Sequence, residues 1–394
     1  MLDAAPAPLN PDLLDTGTPP IPEAQGWARA YDGRVGPLVD LSQAVPGAPP
    51  PQALLDKLSE AAADPASTRY GAITGDAALR EAYAAETSRI YGTAFKPGEI
   101  AVTSGCNQAY VMTMMALAQA GDNVLLPTPW YFNHEMTLTM LGIEARALPC
   151  APEAGFVPDV SNAEPLIDAR TRAIVLVTPN NPTGAVYPPE TIAAFAALCA
   201  QRGIWLVLDE TYRDFLPAGT SRPHEVFATT RWQDSVIGLY SFSKAYAVPG
   251  WRLGVITAGE PAIAEISKVL DCVQISPVRA GQAAVTWGID GIRDWRERNR
   301  AEINARADLF RETMAPLNGW RVLSAGAYFA YVAHPFTGVP AAEVARRLVE
   351  ERGVLALPGP YFGPGQENHL RIAIANVAAD RIGLLGERLR GFSL

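Results

Sequence analysis

Short apolar runs alternate with alanine-rich segments through the middle of the chain. The apolar runs at 99–105, 122–128, 172–180, 203–210, 235–242 and 252–258 predict β-strands. Segments such as 106–121 and 189–203 lie between strands and predict helices. Apolar strands separated by helices indicate a mostly parallel sheet covered by helices on both faces.

The pattern changes near residue 290. Residues 292–319 predict one long charged helix that ends at an Asn-Gly pair. A smaller α+β section follows, with apolar runs at 328–334 and 369–375 around a helical segment at 341–353. The second half of the chain therefore predicts a separate, smaller packing unit.

These patterns predict an α/β protein with two domains. We assign residues 46–289 to a large cofactor-binding domain with a mostly parallel sheet. Residues 290–394 form the predicted small C-terminal α+β domain. Residues 1–45 are predicted to be an N-terminal arm and part of that small domain, so that both termini build it.

Composition narrows the class of function. The 394-residue chain is 48% hydrophobic and 19% charged, which is ordinary for a globular enzyme. Its net charge of −9 disfavours nucleic acid or an anionic membrane surface as the main partner. No apolar run approaches the ~20 residues needed to cross a bilayer.

The N-terminal stretch and the scattered cysteines predict a cytoplasmic protein. Residues 1–20 are acidic and proline-rich, unlike a signal peptide. The cysteines lack CxxC spacing and predict reduced thiols: Cys106, Cys150, Cys199 and Cys272. The four histidines are too dispersed to propose a metal site.

Polar groups follow the ends of several predicted strands, where parallel sheets bind their ligands. In "TSGCNQAY" (103–110) a strand leads into a helix, and the amides of Gly105, Cys106 and Asn107 are expected to be free for an anion. An ordinary turn between strand and helix has the same pattern, so this motif alone leaves both readings open.

Asp209 ends a fully apolar strand in "VLDETY" (207–212). Burial of its carboxylate without a partner would be costly, so it either caps the next helix or holds a cationic ring nitrogen. Tyr212 lies three residues further on and is expected at the same sheet edge.

Two further strand ends carry groups suited to a planar ring. Asn181 in "TPNNPTG" (178–184) can donate to a ring oxygen, although the motif is also ordinary turn chemistry. Tyr131 in "PTPWYFNH" (127–134) can stack on a ring, although aromatic residues more often pack in the core.

Lys244, one of only four lysines, follows another apolar strand in "YSFSKAYAVPGWRLG" (240–254). The hydroxyls of Ser241 and Ser243 and the guanidinium of Arg252 suit a phosphate. A lysine amine held near cations and away from water has a depressed pKa and forms Schiff bases. These groups together match pyridoxal 5′-phosphate.

The stretch "SFSKAYAVPGWRLG" (241–254) resembles the fold-type I pyridoxal-phosphate-dependent aminotransferases of class I/II, the aspartate aminotransferase-like group. The resemblance covers about residues 35 to 385. It implies that Lys244 carries the cofactor as a Schiff base and that Asp209 pairs with the pyridinium nitrogen. Tyr212 and Asn181 would bond the ring hydroxyl.

The resemblance also implies the remaining cofactor contacts. The phosphate would be held by Ser241, Ser243, Arg252 and the amides of Gly105, Cys106 and Asn107. Tyr131 would stack on the ring, with His134 supporting Asp209 from behind. Tyr70 matches a tyrosine that reaches the phosphate of the neighbouring subunit, which implies a homodimer with shared sites.

For the substrate, the resemblance assigns Arg371 in "HLRIAIAN" to the α-carboxylate of an amino acid, with Asn181 beside it. Two positions depart from the family pattern. Ala44 stands where relatives often have glycine, which weakens a backbone contact with substrate. Asn107 stands where some dicarboxylate-preferring relatives have lysine, which weakens an assignment to aspartate.

The implied activity is ping-pong transfer of an amino group between an L-amino acid and a 2-oxo acid, without a metal. Three other hypotheses remain at this stage. A C–S β-lyase would use the same cofactor and lysine. A non-enzymatic ligand sensor would retain the fold, but no basic DNA-binding module is attached. A cofactor-free α/β protein would require several matching strand ends to coincide by chance.

Overall fold

A computed structural model describes residues 7–220, 222–229 and 231–394. The strands are β1 (Val39–Asp40), β2 (Ile100–Thr103), β3 (Asn123–Thr128), β4 (Glu144–Pro149), β5 (Thr171–Val177), β6 (Trp205–Asp209), β7 (Val236–Ser241), β8 (Gly254–Thr257), β9 (Arg321–Gly326), β10 (Phe329–Ala333), β11 (Val354–Leu355), β12 (Leu357–Pro358) and β13 (His369–Ala373).

The helices are α1 (Pro11–Asp15), α2 (Pro20–Ala30), α3 (Gln52–Ala63), α4 (Ala77–Tyr91), α5 (Cys106–Leu117), α6 (Phe132–Met140), α7 (Val160–Ala163), α8 (Pro189–Arg202), α9 (Phe242–Ala245), α10 (Glu260–Gln274), α11 (Arg279–Gly291), α12 (Arg293–Met314), α13 (Ala341–Arg352) and α14 (Ala379–Leu389). Among the described residues, no helix is both long enough and apolar enough to cross a membrane.

A seven-stranded sheet with the order β2-β8-β7-β6-β5-β3-β4 forms the larger part of the fold. The strands from β4 to β7 pair in parallel, while β8 runs antiparallel to both β7 and β2. All residues of β2, β3, β7 and β8 are buried, because helices cover both faces of the sheet. The predicted fold class is confirmed.

All six predicted strands of this sheet are present. The seventh, β4, was not predicted from the sequence. Its residues "EARALP" are mostly exposed or half-buried because β4 is the edge strand, so no apolar run marks it. The predicted helix at 292–319 is shorter than expected, since α12 ends at Met314 and a turn continues to Gly319, whose φ is +80°.

A second, antiparallel sheet with the order β12-β13-β10-β9 belongs to the C-terminal part of the chain. Strand β1 pairs in parallel with β11, so Val39 lies beside Val354. Val39 and Leu41 then pack in one apolar cluster with residues of the C-terminal part such as Phe310. This packing agrees with a small unit built from both termini, and the boundaries after residues 45 and 289 stay predictions.

The parallel strands bring their carboxyl ends to one edge of the large sheet. Residues Val177, Asp209 and Ser241 end β5, β6 and β7, which are adjacent strands. The segments that follow them therefore meet above this edge, although they are far apart in sequence.

Candidate functional site

A cavity of about 340 Å³ lies at the carboxyl ends of β5, β6 and β7. It is lined by Gln43, Ala44, Val45, Cys106, Asn107, Tyr131, Val177, Asn181, Asp209, Thr211, Tyr212, Ser241, Ser243, Lys244, Pro249 and Arg252. The fold thus brings together most of the side chains that the sequence singled out.

Lys244 lies on the short helix α9, which starts directly after β7. Its Nζ atom donates a hydrogen bond to the backbone oxygen of Ala44. Burial, and then the positive charges of Arg371 and Arg252, lower the pKa of the Lys244 amine to about 8. About a tenth of this amine is therefore neutral and nucleophilic at pH 7, far more than for an ordinary lysine.

Arg252 lies against the start of α5, and only glycine allows this approach. A Cβ atom added to Gly105, whose φ is +85°, would lie 2.2 Å from Nη2 of Arg252. A Cβ atom on Gly254 would lie 2.8 Å from the amide nitrogen of Cys106. The exposed guanidinium thus lies directly beside a helix N-terminus, where its charge and the first helix amides can bind the same anion.

Two serines complete this side of the cavity. Ser241 caps α9, and its Oγ atom accepts a hydrogen bond of 3.2 Å from the amide of Ser243. Both serines are buried beside Lys244. The structure corrects one expectation: the amide of Gly105 is not free, because the tight turn lets it donate to the Thr103 oxygen at 2.9 Å.

Asp209 is a buried carboxylate with two donors. Nε2 of His134 lies 3.3 Å from its Oδ2 atom, and the amide of Thr211 donates to Oδ1 at 3.0 Å. Burial raises the pKa of Asp209, but the hydrogen bonds and charge of His134, together with Thr211, outweigh it, so the net shift is downward. His134 in turn stacks on Tyr110, with ring centroids 3.9 Å apart. Asp209 is therefore held as an anion.

The aromatic walls come from two separate segments. Tyr131 immediately precedes α6, and its hydroxyl accepts from Asn133 at 2.8 Å and lies 3.5 Å from Oδ1 of Asn107. Burial raises the pKa of Tyr131 to about 12 and that of Tyr212 well above its usual range. Both phenols are neutral at physiological pH and can act as hydrogen-bond donors.

Arg371, on β13 of the second sheet, reaches the edge of the cavity. Its Nη1 atom donates to Oδ1 of Asn181 at 3.2 Å, and its Nη2 atom donates to the oxygen of Ser42. The guanidinium is buried, and its Nε atom has no partner among the described residues. Burial lowers the pKa of Arg371 to about 10, which leaves it charged at neutral pH. It is well placed to receive a carboxylate.

Tyr70 is the one predicted site residue that lies outside this assembly. Its side chain is 77% exposed, and it does not line the cavity. Five lining residues were not predicted from the sequence: Gln43, Val45, Val177, Thr211 and Pro249. Gln43 and Val45 flank Ala44, and Thr211 lies between Asp209 and Tyr212. Their position next to predicted site residues could have indicated these three from the sequence.

The family model for aminotransferase class I and II matches residues 37–389. The chain belongs to the class I and II aminotransferases. The match covers both sheets and nearly every helix, so membership concerns the fold as a whole and not the lysine motif alone.

Two characterised relatives agree with this family. The chain is 30% identical to the arginine–pyruvate transaminase of Pseudomonas aeruginosa over 87% of this chain and 88% of that protein. It is 28% identical to the valine–pyruvate aminotransferase of Mycobacterium tuberculosis over 93% and 95% of the two chains.

The structure of an aspartate aminotransferase double mutant from Thermus thermophilus superposes with a TM-score of 0.89. That match covers 97% of this chain and 98% of the other, at 27% identity. The relatives are named for amino-group transfer, and the family assigns this chain an aminotransferase activity. Members of the family depend on pyridoxal 5′-phosphate.

Proposed function

We propose that this aminotransferase binds pyridoxal 5′-phosphate in the cavity and joins it covalently to Lys244. The observation that carries the proposal is the amine of Lys244, which shares one cavity with an ionised carboxylate and with an arginine at a helix N-terminus. The close approach of Arg252 to Gly105 places a guanidinium beside the first amides of α5, and these groups together suit a phosphate.

Each remaining contact is proposed from position in the cavity. The phosphate is assigned to Ser241, Ser243, Arg252 and the first amides of α5, at Cys106 and Asn107. Asp209 would face the ring nitrogen, Tyr131 would stack on the ring, and Tyr212 and Asn181 would bond its hydroxyl. When bound, the cofactor supplies an electron sink for the electrons released as the Cα–H bond of the amino acid breaks.

The chain's own residues perform the remaining tasks. Asp209 keeps a proton on the ring nitrogen, because its negative charge is fixed by His134 and Thr211. Arg371 and Asn181 bind the α-carboxylate and thereby orient the Cα–H bond. Lys244, released when the amino group of the substrate takes its place, would accept the Cα proton as a general base and pass it to the cofactor side of the C–N bond, so that water can release the 2-oxo acid. Two such half-reactions, with an L-amino acid and then a 2-oxo acid, give ping-pong kinetics.

An amino donor alone tests this sequence of events. We expect the protein, given an amino acid without an oxo acid, to release one oxo acid per site and to convert its bound cofactor to the aminated form. A panel of donors with pyruvate and 2-oxoglutarate as acceptors then identifies the preferred pair. Release of ammonia and pyruvate from a cysteine conjugate, without aminated cofactor, would contradict the proposal in favour of β-elimination.

Arg371→Ala should raise KM for L-amino acids by about tenfold to a hundredfold, because charge-assisted hydrogen bonds to a carboxylate are lost. Amines that lack a carboxylate should react with little change. Steady-state kinetics with an amino acid and its decarboxylated analogue measures the difference, with Arg321→Ala on β9 of the same sheet as control. Equal effects on both substrates would exclude a carboxylate-binding role.

We propose a homodimer with shared sites. Tyr70 does not line the cavity of its own subunit, and its exposed side chain is available to contact the cofactor of a neighbouring subunit. Tyr70 lies in an apolar patch formed by Tyr70, Ile73, Val273, Ile275 and Val278, whose exposed fractions range from 37% to 77%. The amide of Gly71 donates to Oγ of Ser276 at 3.1 Å, which joins the two segments of the patch. Contiguous exposed apolar surface of this kind commonly marks an interface.

Val278→Asp should dissociate this dimer, weakening association by about a hundredfold or more, because a charge would be buried in the interface. Val278 is the N-cap residue of α11, and aspartate is favourable there, so the subunit should still fold. Light scattering after size exclusion measures the mass, with the exposed Val35→Asp as control. A dimer that survives Val278→Asp would place the interface elsewhere.

A cytoplasmic location is also proposed. All four cysteines are free thiols in the structure, which is typical of a reducing compartment.

A further inference from the structure

A second cavity, of about 230 Å³, opens beside the turn that follows β6. We name it the arginine cavity, after its six lining arginines: Arg89, Arg213, Arg222, Arg293, Arg296 and Arg300. Only three carboxylates line it: Glu86, Asp214 and Glu297. It shares no lining residue with the cavity around Lys244, so it is a separate site.

The buried carboxylates of this cavity are already occupied by some of its arginines. Glu86 accepts from Arg89 at 2.9 Å, from Arg293 at 3.0 Å and from Arg296 at 3.1 Å. Burial raises the pKa of Glu86, but these guanidinium groups outweigh it and bring the pKa to about 2. Arg296 also lies 3.2 Å from Asp214. Arg300 and Arg222 are also paired, with Glu297 at 2.5 Å and with Glu225 at 3.3 Å.

Arg213 differs from the other arginines because it has no carboxylate within 4 Å among the described residues. It is only 7% exposed, and its Nε atom has no hydrogen-bond partner. Its guanidinium packs on the ring of Tyr240, 4.1 Å from the centroid, and lies near those of Tyr83 and Tyr91. The three rings thus hold a permanent positive charge at the lining of the cavity.

The two nearest carboxylates in sequence form no close ion pair with Arg213. Asp214, the next residue, instead lies 3.2 Å from Arg296 and accepts from the hydroxyl of Tyr240 at 2.7 Å. Glu210 accepts from the hydroxyl of Tyr91 at 2.5 Å and lies 3.1 Å from Nε2 of His224, and no ion pair within 4 Å joins it to Arg213 in the described part of the chain. The charge of Glu210 therefore acts on Arg213 only from beyond contact distance, and an anionic ligand in direct contact with the guanidinium would stabilise this buried charge further.

We propose that the arginine cavity binds a phosphate-class oxyanion, such as the phosphate group of a small metabolite, with Arg213 as its central ligand. Guanidinium groups bind such oxyanions through paired N–H donors, and a phosphate monoester carries about −1.5 to −2 charges at pH 7. Arg300, at the rim, adds a second donor whose Nε atom is also unpaired. Because Tyr212 and Arg213 are consecutive, the two cavities are joined through one turn.

Titration calorimetry of the holoenzyme with inorganic phosphate tests the proposal, since the bound cofactor keeps phosphate out of the cavity around Lys244. We expect saturable binding of one phosphate per chain. Arg213→Met should weaken it by about tenfold or more, while Arg213→Lys should retain part of the affinity. Arg346→Gln, an arginine of α13 outside the cavity, should bind phosphate like the unmodified protein.

Arg300→Gln provides a second test if Arg213→Met does not fold, because Arg300 lies at the rim and is 22% exposed. It should also weaken phosphate binding. Melting curves with and without phosphate separate binding from a structural role of these arginines. Phosphate should raise Tm of the unmodified protein and should not raise Tm of whichever variant, Arg213→Met or Arg300→Gln, is folded. Absence of saturable phosphate binding, or unchanged affinity in both Arg213→Met and Arg300→Gln, would overturn the proposal.

Discussion

Replacing Lys244 with alanine should reduce kcat by at least about 10⁴-fold, because the change removes both the covalent attachment point and the general base. The purified variant should also lose the visible absorbance of lysine-bound cofactor. Both effects follow from one amine, which donates to the oxygen of Ala44 inside the cavity. Absorbance spectra and steady-state kinetics with an amino acid and an oxo acid measure them.

Lys268→Ala is the matched control, because Lys268 is a 70% exposed lysine of α10 that pairs only with Glu265 on its own helix. It should retain colour and turnover. Retention of both by Lys244→Ala would show that another group performs the chemistry.

The pH dependence of Lys244 follows from its lowered pKa. The amine is neutral above about pH 8 and protonated below it. In protein freed of cofactor, labelling of Lys244 by an amine-specific reagent should therefore rise with pH and reach half its maximum near pH 8. Peptide mass mapping over a pH series measures this, and a midpoint above pH 10 would contradict the burial of a neutral amine.

Asp209→Ala should lower kcat by about 10³-fold while leaving cofactor attached, because Lys244 and the phosphate contacts remain. The ring nitrogen would lose the carboxylate that keeps it protonated, so cleavage of the Cα–H bond should become slower. A donor deuterated at Cα should then show a larger isotope effect than in the unmodified protein. Single-turnover absorbance measurements provide both values.

Two substitutions separate charge from packing at this position. Asp209→Asn keeps the volume and removes the charge, so it should be nearly as slow as Asp209→Ala. Asp209→Glu keeps the charge and should recover part of the rate. Because His134 would lose its buried partner at 3.3 Å, melting curves should accompany each variant. Near-normal turnover in Asp209→Asn would exclude the electrostatic role.

Much of the site followed from local sequence because parallel strands impose one common edge. Asp209 and Ser241 end β6 and β7, which are neighbours in the sheet, and Asn181 follows the end of β5. Once each strand is recognised by its apolar run, the polar residue that follows must lie at the ligand edge. The edge strand β4 was missed for the same reason, since its exposed positions carry no apolar run.

Contacts between distant segments required the tertiary structure. Arg371 meets Asn181 across 190 residues, and Lys244 meets Ala44 across 200. Neither spacing has a local pattern, so the sequence did not predict these two contacts, and it indicated Arg371 and Ala44 only through family resemblance. The contact between His134 and Asp209 also joins distant segments. The stacking of His134 on Tyr110 holds the imidazole ring in position for it.

The arginine cavity could not be predicted from the sequence alone. Its residues come from α4, from the turn after β6 and from α12, and each segment by itself looks like an ordinary charged stretch. Hydrophobic period and strand ends are local properties, so the sequence by itself determined the fold class, the ligand edge and the reactive lysine. Which charges lie in close ion pairs depends on how remote segments pack, and only the tertiary structure decided that Arg213 would be buried among three tyrosines with no carboxylate within 4 Å among the described residues.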